Sequence, residues 1–363
     1  MRAALSKSVS FACEKGSYSP IKICASAKNV CVFGLGRFFQ EAFETWNFKE
    51  KFQVNLLSDN NSSKWGQTIN NLPCVSPMEL SKFDDLIVIP LVGDREPIIK
   101  QMQSMGIRCL DPEECLNESL SKIERSPKWF NENRIMDVYD MLADEESKRI
   151  YSSLLINRIA FGRYHYGELF SNNQYFPDFF RFHNNEVFID CGAYTGDTLK
   201  RFINNVPSNE FKQIYAFEAD EQNYNDLRKS VNRNNIFLYH AGVWNETGKL
   251  SFGRETYGSF EYVSVLKIDD FFLRQTVPAV RIDDITNNAT FIKMDIEGAE
   301  LNALKGAKKT IIANTPKLAI SIYHQLNDLW EIPIYIKQLV PEYKLYVRHH
   351  SKTIAETVLY ACI

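Results

Sequence analysis

Residues 186–198, EVFIDCGAYTGDT, decide the fold of this chain. Val187, Phe188 and Ile189 are consecutive apolar residues, which suit a parallel strand covered on both faces. Asp190 ends that strand. Gly192 and Gly196 let the backbone pass close to a ligand, and Thr198 stands at the start of a helix beginning LKRF, where backbone N–H groups are still unpaired. About twenty residues on, IYAFEAD ends a second apolar strand in Glu218, the spacing at which a carboxylate grips the two hydroxyls of a ribose.

Tyr194 occupies the middle glycine position of a G-x-G-x-x-G run, so a diphosphate at this turn would meet its side chain. S-adenosylmethionine carries a ribose and no phosphate, and Asp190 suits the ammonium of its methionine part, directly or through water. An ordinary strand, turn and helix of an α/β protein remains the plainer reading of the same residues.

The 363 residues are long for one domain, and 45% hydrophobic with 24% charged residues is ordinary for a globular protein. A net charge of −3 gives no general electrostatic reason to bind nucleic acid. The eight cysteines are scattered without a C-x-x-C pair and read as buried thiols of a reducing compartment. No apolar run is long enough to span a bilayer, so a cytoplasmic protein without a membrane partner is expected.

Residues 1–116 read as an N-terminal Rossmann-like module. NVCVFGLGRFF (29–39) resembles the first turn of a dinucleotide-binding unit, with Gly34 and Gly36 present and Phe39 in place of the third glycine. A further strand ends at Asp59, DLIVIPLVG (85–93) is an apolar strand, and PIIKQMQSMG (97–106) is an amphipathic helix closed by glycine. The module is either a nucleotide or nucleotide-sugar site or a docking unit through which the chain forms a homo-oligomer. Gly34, Gly36 and Asp59 keep open a nicotinamide-dependent sugar oxidoreductase or epimerase. Residues 117–173 read as a helical linker, with Pro127 as a break and Ile135, Val138, Tyr139 and Leu142 on one face. The aromatic segment YHYGELFSNNQYFPDFF (164–180) is either a lid over the substrate or packing against the sheet.

From Gln174 to Ile363 the chain resembles the FkbM-type family of S-adenosylmethionine-dependent methyltransferases. The resemblance rests on FIDCGAYTGDT, YAFEAD, HAGVWNETGKLSF, VRIDDI and above all FIKMDIEGAELNALKGA (291–307). It implies an α/β fold of the class I methyltransferase type, with a Rossmann-like seven-stranded sheet behind the N-terminal module and linker. It also implies O-methylation, often of sugar or natural-product hydroxyls. Asp190, Gly192, Ala193, Tyr194, Gly196, Asp197, Thr198, Glu218, Ala219, Gly242, Val243 and Asp295 are then the residues expected around S-adenosylmethionine. A methyltransferase fold kept as a non-catalytic scaffold is the remaining alternative.

Methyl transfer from a sulfonium needs an aligned hydroxyl and a base. The strand Phe291–Met294 runs into Asp295, Glu297 and Glu300, and KLAISIYH (317–324) brings Tyr323 and His324 to the same sheet edge. His324 is the leading base candidate beside Asp295. It also reads as a core histidine, and Glu300 as a complement to the helix dipole. A third reading joins Asp295, Glu300 and His324 around a divalent cation, although sequence spacing fixes no metal geometry.

Overall fold

The computed structural model describes residues 1–6, 20–36, 39–40, 43, 47–92, 95–112, 115, 132–160, 166–254, 261–262, 273–352 and 355–363. Pro127, His165 and most of the charged loop between 255 and 272 lie outside the described residues. The chain divides into two compact units, one of residues 1–132 and 152–168, the other of 133–151 and 169–363.

The first unit holds a six-stranded sheet of β1 (Asn29–Phe33), β2 (Leu56–Ser58), β3 (Thr68–Ile69), β4 (Leu72–Val75), β5 (Leu86–Pro90) and β6 (Arg108–Cys109). Its order is β3-β4-β2-β1-β5-β6, parallel except for the β3–β4 pair. The apolar runs VCVF and LIVIP fill its centre because central parallel strands are covered on both sides. Phe39 is buried in this core and packs on Phe43, so the residue replacing the third glycine fills space rather than framing a ligand. Pro77–Lys82 forms a 3-10 helix, opened by a capping box between Ser76 and Glu79.

The second unit is built on β7 (Val187–Cys191), β8 (Gln213–Glu218), β9 (Ile236–His240), β10 (Gly242–Val243), β11 (Gly248–Arg254), β12 (Glu261–Tyr262), β13 (Leu273–Val280), β14 (Phe291–Met294), β15 (Lys317–Ser321), β16 (Lys344–His349) and β17 (Thr357–Cys362). Seven of these form a sheet ordered β16-β17-β15-β14-β7-β8-β9, in which β17 runs antiparallel to both neighbours and the other pairs are parallel. This is the class I methyltransferase arrangement, with a closing antiparallel hairpin. The stretch after β9 joins a separate four-stranded sheet ordered β10-β13-β11-β12.

Phe176, Phe180, Phe188, Phe202 and Phe291 pack in one cluster on the large sheet. The aromatic segment before β7 is thereby anchored to the core. Arg348 on β16 pairs with Asp144 at 2.6 Å, and Ser147 accepts the Val347 N–H at 2.9 Å, which ties residues 144–147 to the far side of the sheet. The described cysteines are free thiols, and among the described residues no helix is long and apolar enough to cross a membrane.

Candidate functional site

The order of the large sheet places the carboxyl ends of β8, β7, β14 and β15 side by side, the edge at which open α/β sheets hold ligands. β7 delivers Asp190 and the turn 192–196. Gly192 has φ +80°, and a Cβ there would stand 1.9 Å from the Asp295 carbonyl oxygen, so glycine is required for the turn to lie against the end of β14. Gly196, at φ +90°, precedes the helix Asp197–Asn205, whose first turn contains Asp197 and the buried Thr198. Tyr194 adopts φ +48° and is 57% exposed, so its ring projects from the turn rather than into the core.

Glu218 is 5% exposed at the tip of β8 and organises this turn. One carboxylate oxygen accepts the Tyr194 N–H at 2.8 Å and the other the Asp220 N–H at 2.9 Å. Each oxygen keeps a second lone pair for a hydroxyl donor. Burial pushes its carboxyl up to about 7, and the two backbone donors offset only part of that rise.

Asp190, expected to meet a ligand ammonium directly or through water, is fully buried at the end of β7. The parallel register sets Lys293 of β14 beside Asp190 of β7. The Lys293 ammonium lies 3.1 Å from Asp190 and donates to the Gly192 carbonyl at 2.6 Å. Burial raises the Asp190 carboxyl to about 6 despite this partner. Asp190 and Lys293 therefore hold the turn, and through it any molecule the turn binds. A lysine inside the apolar strand FIKM was the sequence signal for this pair, and the register was needed to identify its partner.

Asp295 and His324 come together with Tyr323, Glu297 and Glu300 of the same edge, and with Tyr175, which sequence reasoning did not assign to this centre. Asp295 accepts from the Tyr175 hydroxyl at 2.6 Å and from the Tyr323 hydroxyl at 3.1 Å. Burial works against its charge, but His324, Lys293 and the Tyr175 hydrogen bond hold its carboxyl below the usual range. His324 Nε2 lies 3.2 Å from Glu297 and 3.5 Å from Asp295, while Nδ1 lies 3.0 Å from Glu300. None of these three contacts is aligned as a hydrogen bond. Burial disfavours the imidazolium, yet Glu300 and Glu297 outweigh it and raise the imidazole well above its ordinary value. Glu297, at φ +55° in the turn after β14, has its carboxyl raised by burial. Glu300 opens the helix Glu300–Gly306 and accepts the Ile296 N–H at 2.8 Å.

The remaining expected cofactor residues divide by burial. Ala193 and Val243 are buried in packing, whereas Ala219 and Gly242 are partly exposed near the β8 tip, where His240 holds the Ala219 carbonyl at 3.1 Å. Asp283 accepts the Lys309 and Thr310 N–H groups at 3.1 and 2.9 Å, a helix-capping role. In the first unit Asp59 is engaged by its own turn. It accepts the Leu35 N–H at 2.8 Å, the Asn61 N–H at 2.8 Å and the Lys64 ammonium at 2.7 Å.

Residues 190–350 match the family model for the methyltransferase FkbM domain. Across its length the chain is similar to the crystal structure of Methyltransferase FkbM from Methylobacillus flagellatus KT, at 23% identity and a TM-score of 0.70, covering 99% of this chain and 98% of that one. That likeness shows the fold. More distant similarity links half of the chain to an rRNA methylase from Streptococcus thermophilus, with 14% identity, 50% and 87% coverage and a TM-score of 0.32. A putative methyltransferase from Streptococcus mutans in complex with SAH gives 16%, 49% and 89%, and 0.30. No curated protein matches the chain. The FkbM-type resemblance read from the motifs is borne out over the matched residues.

Proposed function

We propose, for a chain whose residues 190–350 form a methyltransferase FkbM domain, that it transfers the methyl group of S-adenosylmethionine to a hydroxyl oxygen of a sugar or glycan. The observation that carries this reading is Glu218. It is a buried carboxylate at the second strand tip, fixed by two backbone N–H groups and retaining lone pairs for a ribose diol. Tyr194 stands exposed at the position where a dinucleotide turn has its middle glycine, and the acidic groups that follow β14 stand along the same edge as His324 after β15.

In the proposed reaction the new O–CH3 bond forms as the S–CH3 bond breaks, with the hydroxyl aligned behind the methyl group. Asp295, oriented by Tyr175 and Tyr323, accepts a hydrogen bond from the acceptor and positions it. The hydroxyl proton passes to the carboxylates facing His324. Glu297, whose carboxyl is already raised, takes it, and His324, facing Glu297 and Glu300, holds the cluster's geometry. The base thus belongs to the cluster and not to the imidazole alone.

Isothermal titration with S-adenosylhomocysteine and with NAD tests the cofactor. Binding of the first alone supports the reading, and binding of NAD alone overturns it in favour of an oxidoreductase. A panel of sugars and nucleotide-sugars incubated with labelled methyl donor then tests the acceptor class.

A further inference from the structure

The centre at the tips of β14 and β15 holds more negative charge than its own residues balance. Asp295, Glu297 and Glu300 face the one imidazole of His324, while the nearby ammonium of Lys293 is engaged by Asp190 and the Gly192 carbonyl. Even a fully charged imidazolium leaves more carboxylate than positive charge around a fully buried Glu300, with Asp295 and Glu297 only 20% and 29% exposed, an arrangement that a further cation would relieve.

A second observation concerns hydrogen bonding. Glu300 has no exposed surface, and its Oε2 has no hydrogen-bond partner. Both ring nitrogens of His324, a side chain 8% exposed, also lack one. Buried polar atoms are normally satisfied, and unsatisfied ones that converge on a point mark the place of something that satisfies them. One ligand atom from each of Asp295, Glu300 and His324 lies within 4.8 Å of the others. With cation–oxygen distances of about 2.0–2.6 Å, atoms on opposite sides of one ion stand about 4–5 Å apart, which is the span available here.

We propose that Asp295, Glu300 and His324 form a binding site for a hard divalent cation, Mn2+ or Mg2+. Two carboxylate oxygens and one imidazole nitrogen suit such an ion better than a thiolate-seeking one. Glu297 stands beside the site and supplies further negative charge. Resting on the methyltransferase reading, its role is to hold the acceptor hydroxyl and ease loss of its proton. The ion itself is testable apart from that reading.

The test is a titration of the full-length chain, free of cofactor, with Mn2+ followed by loss of the free-ion electron paramagnetic resonance signal. One Mn2+ bound per chain, displaced by Mg2+, is expected. Asp295→Asn and Glu300→Gln should each weaken binding by at least the ~10- to 100-fold seen when outer-sphere partners of a metal are removed. Asp59→Asn should leave it unchanged. Absence of saturable binding, or binding by the two site variants as tight as by the unaltered protein, overturns the proposal. Should either variant fail to fold, a crystal of the unaltered protein soaked in Mn2+ decides: an anomalous peak among the three side chains supports the site, and a peak elsewhere or none refutes it. A parallel titration with S-adenosylhomocysteine separates the two ideas. Its binding without a Mn2+ site removes only the cation, and Mn2+ binding without it removes only the methyltransferase reading.

Discussion

Replacing Lys293 by methionine probes the link between the sheet core and the cofactor turn. The ammonium it removes lies 3.1 Å from Asp190 and donates to the Gly192 carbonyl, and both charged side chains are almost wholly buried. Asp190 must then ionise alone in an apolar surrounding or take up a proton. At pH 8 protonation costs about 1.36 kcal/mol for each unit above the folded value of about 6 that Asp190 already has, or about 2.7 kcal/mol. That figure lies a little below the ~3–5 kcal/mol found on breaking a buried pair. For a unit of about 200 residues each kcal/mol lowers the melting temperature by about 2–4 °C, so a fall of roughly 5–11 °C is expected at pH 8.

The sign of the pH dependence follows from Asp190. Burial raises its folded-state carboxyl to about 6. Its contribution to stability is therefore full below the unfolded value near 4 and is lost as pH rises through 6. Without Lys293 the folded value rises further and the loss extends to higher pH, so the gap between the variant and the unaltered protein widens from pH 5.5 to pH 8. Calorimetry of the full chain at these two pH values measures it, and Asp190→Asn combined with Lys293→Met should recover most of the difference. A single variant that melts within about 2 °C of the unaltered protein at pH 8 refutes the reasoning. So does a gap that ignores pH.

Glu218→Gln turns one carboxylate oxygen into an amide donor facing a backbone N–H. It should weaken S-adenosylhomocysteine binding by about 1.5–3 kcal/mol in calorimetric titration, and unchanged affinity would remove the ribose role. Because burial raises Glu218 to about 7, the carboxylate that grips a diol is lost on acidification. Affinity in the unaltered protein should fall by roughly fivefold between pH 7 and pH 6, whereas a flat profile contradicts the assignment. Gly192→Ala forces a Cβ to within 1.9 Å of the Asp295 carbonyl at a φ of +80°. It should cost well over the ~1–2 kcal/mol of a left-handed non-glycine residue, visible as a lower melting temperature. His324 has a raised imidazole value, so its stabilising contribution is full below its unfolded value near 6.5 and is lost as pH climbs through the folded one. His324→Gln should flatten the melting profile on the alkaline side, with a wild-type profile arguing against the ion cluster, and Glu297→Gln should lower methyl transfer by about 10²- to 10⁴-fold.

The strands of the large sheet were legible because buried parallel strands are written as apolar runs, VFIDC and FIKM among them, and the acids at their tips fall at readable spacings. Register was not legible. The meeting of Lys293 with Asp190 follows from pairing β14 on β7, two strands about a hundred residues apart, which no local pattern encodes. The Tyr175 hydroxyl reaches Asp295 from an aromatic segment that reads equally as lid or packing, and the structure has it serve the core and the site together. Asp59 ends a strand as Glu218 does, but a lysine five residues on closes its turn. A carboxylate at a strand tip does not by itself announce a ligand.

The account depends most on what occupies the turn after β7. A crystal of the protein grown with S-adenosylhomocysteine should show the nucleoside at the tips of β7 and β8, both ribose hydroxyls within hydrogen-bonding distance of Glu218. Density confined to the neighbourhood of Gly34, or a ribose directed away from Glu218, would contradict it.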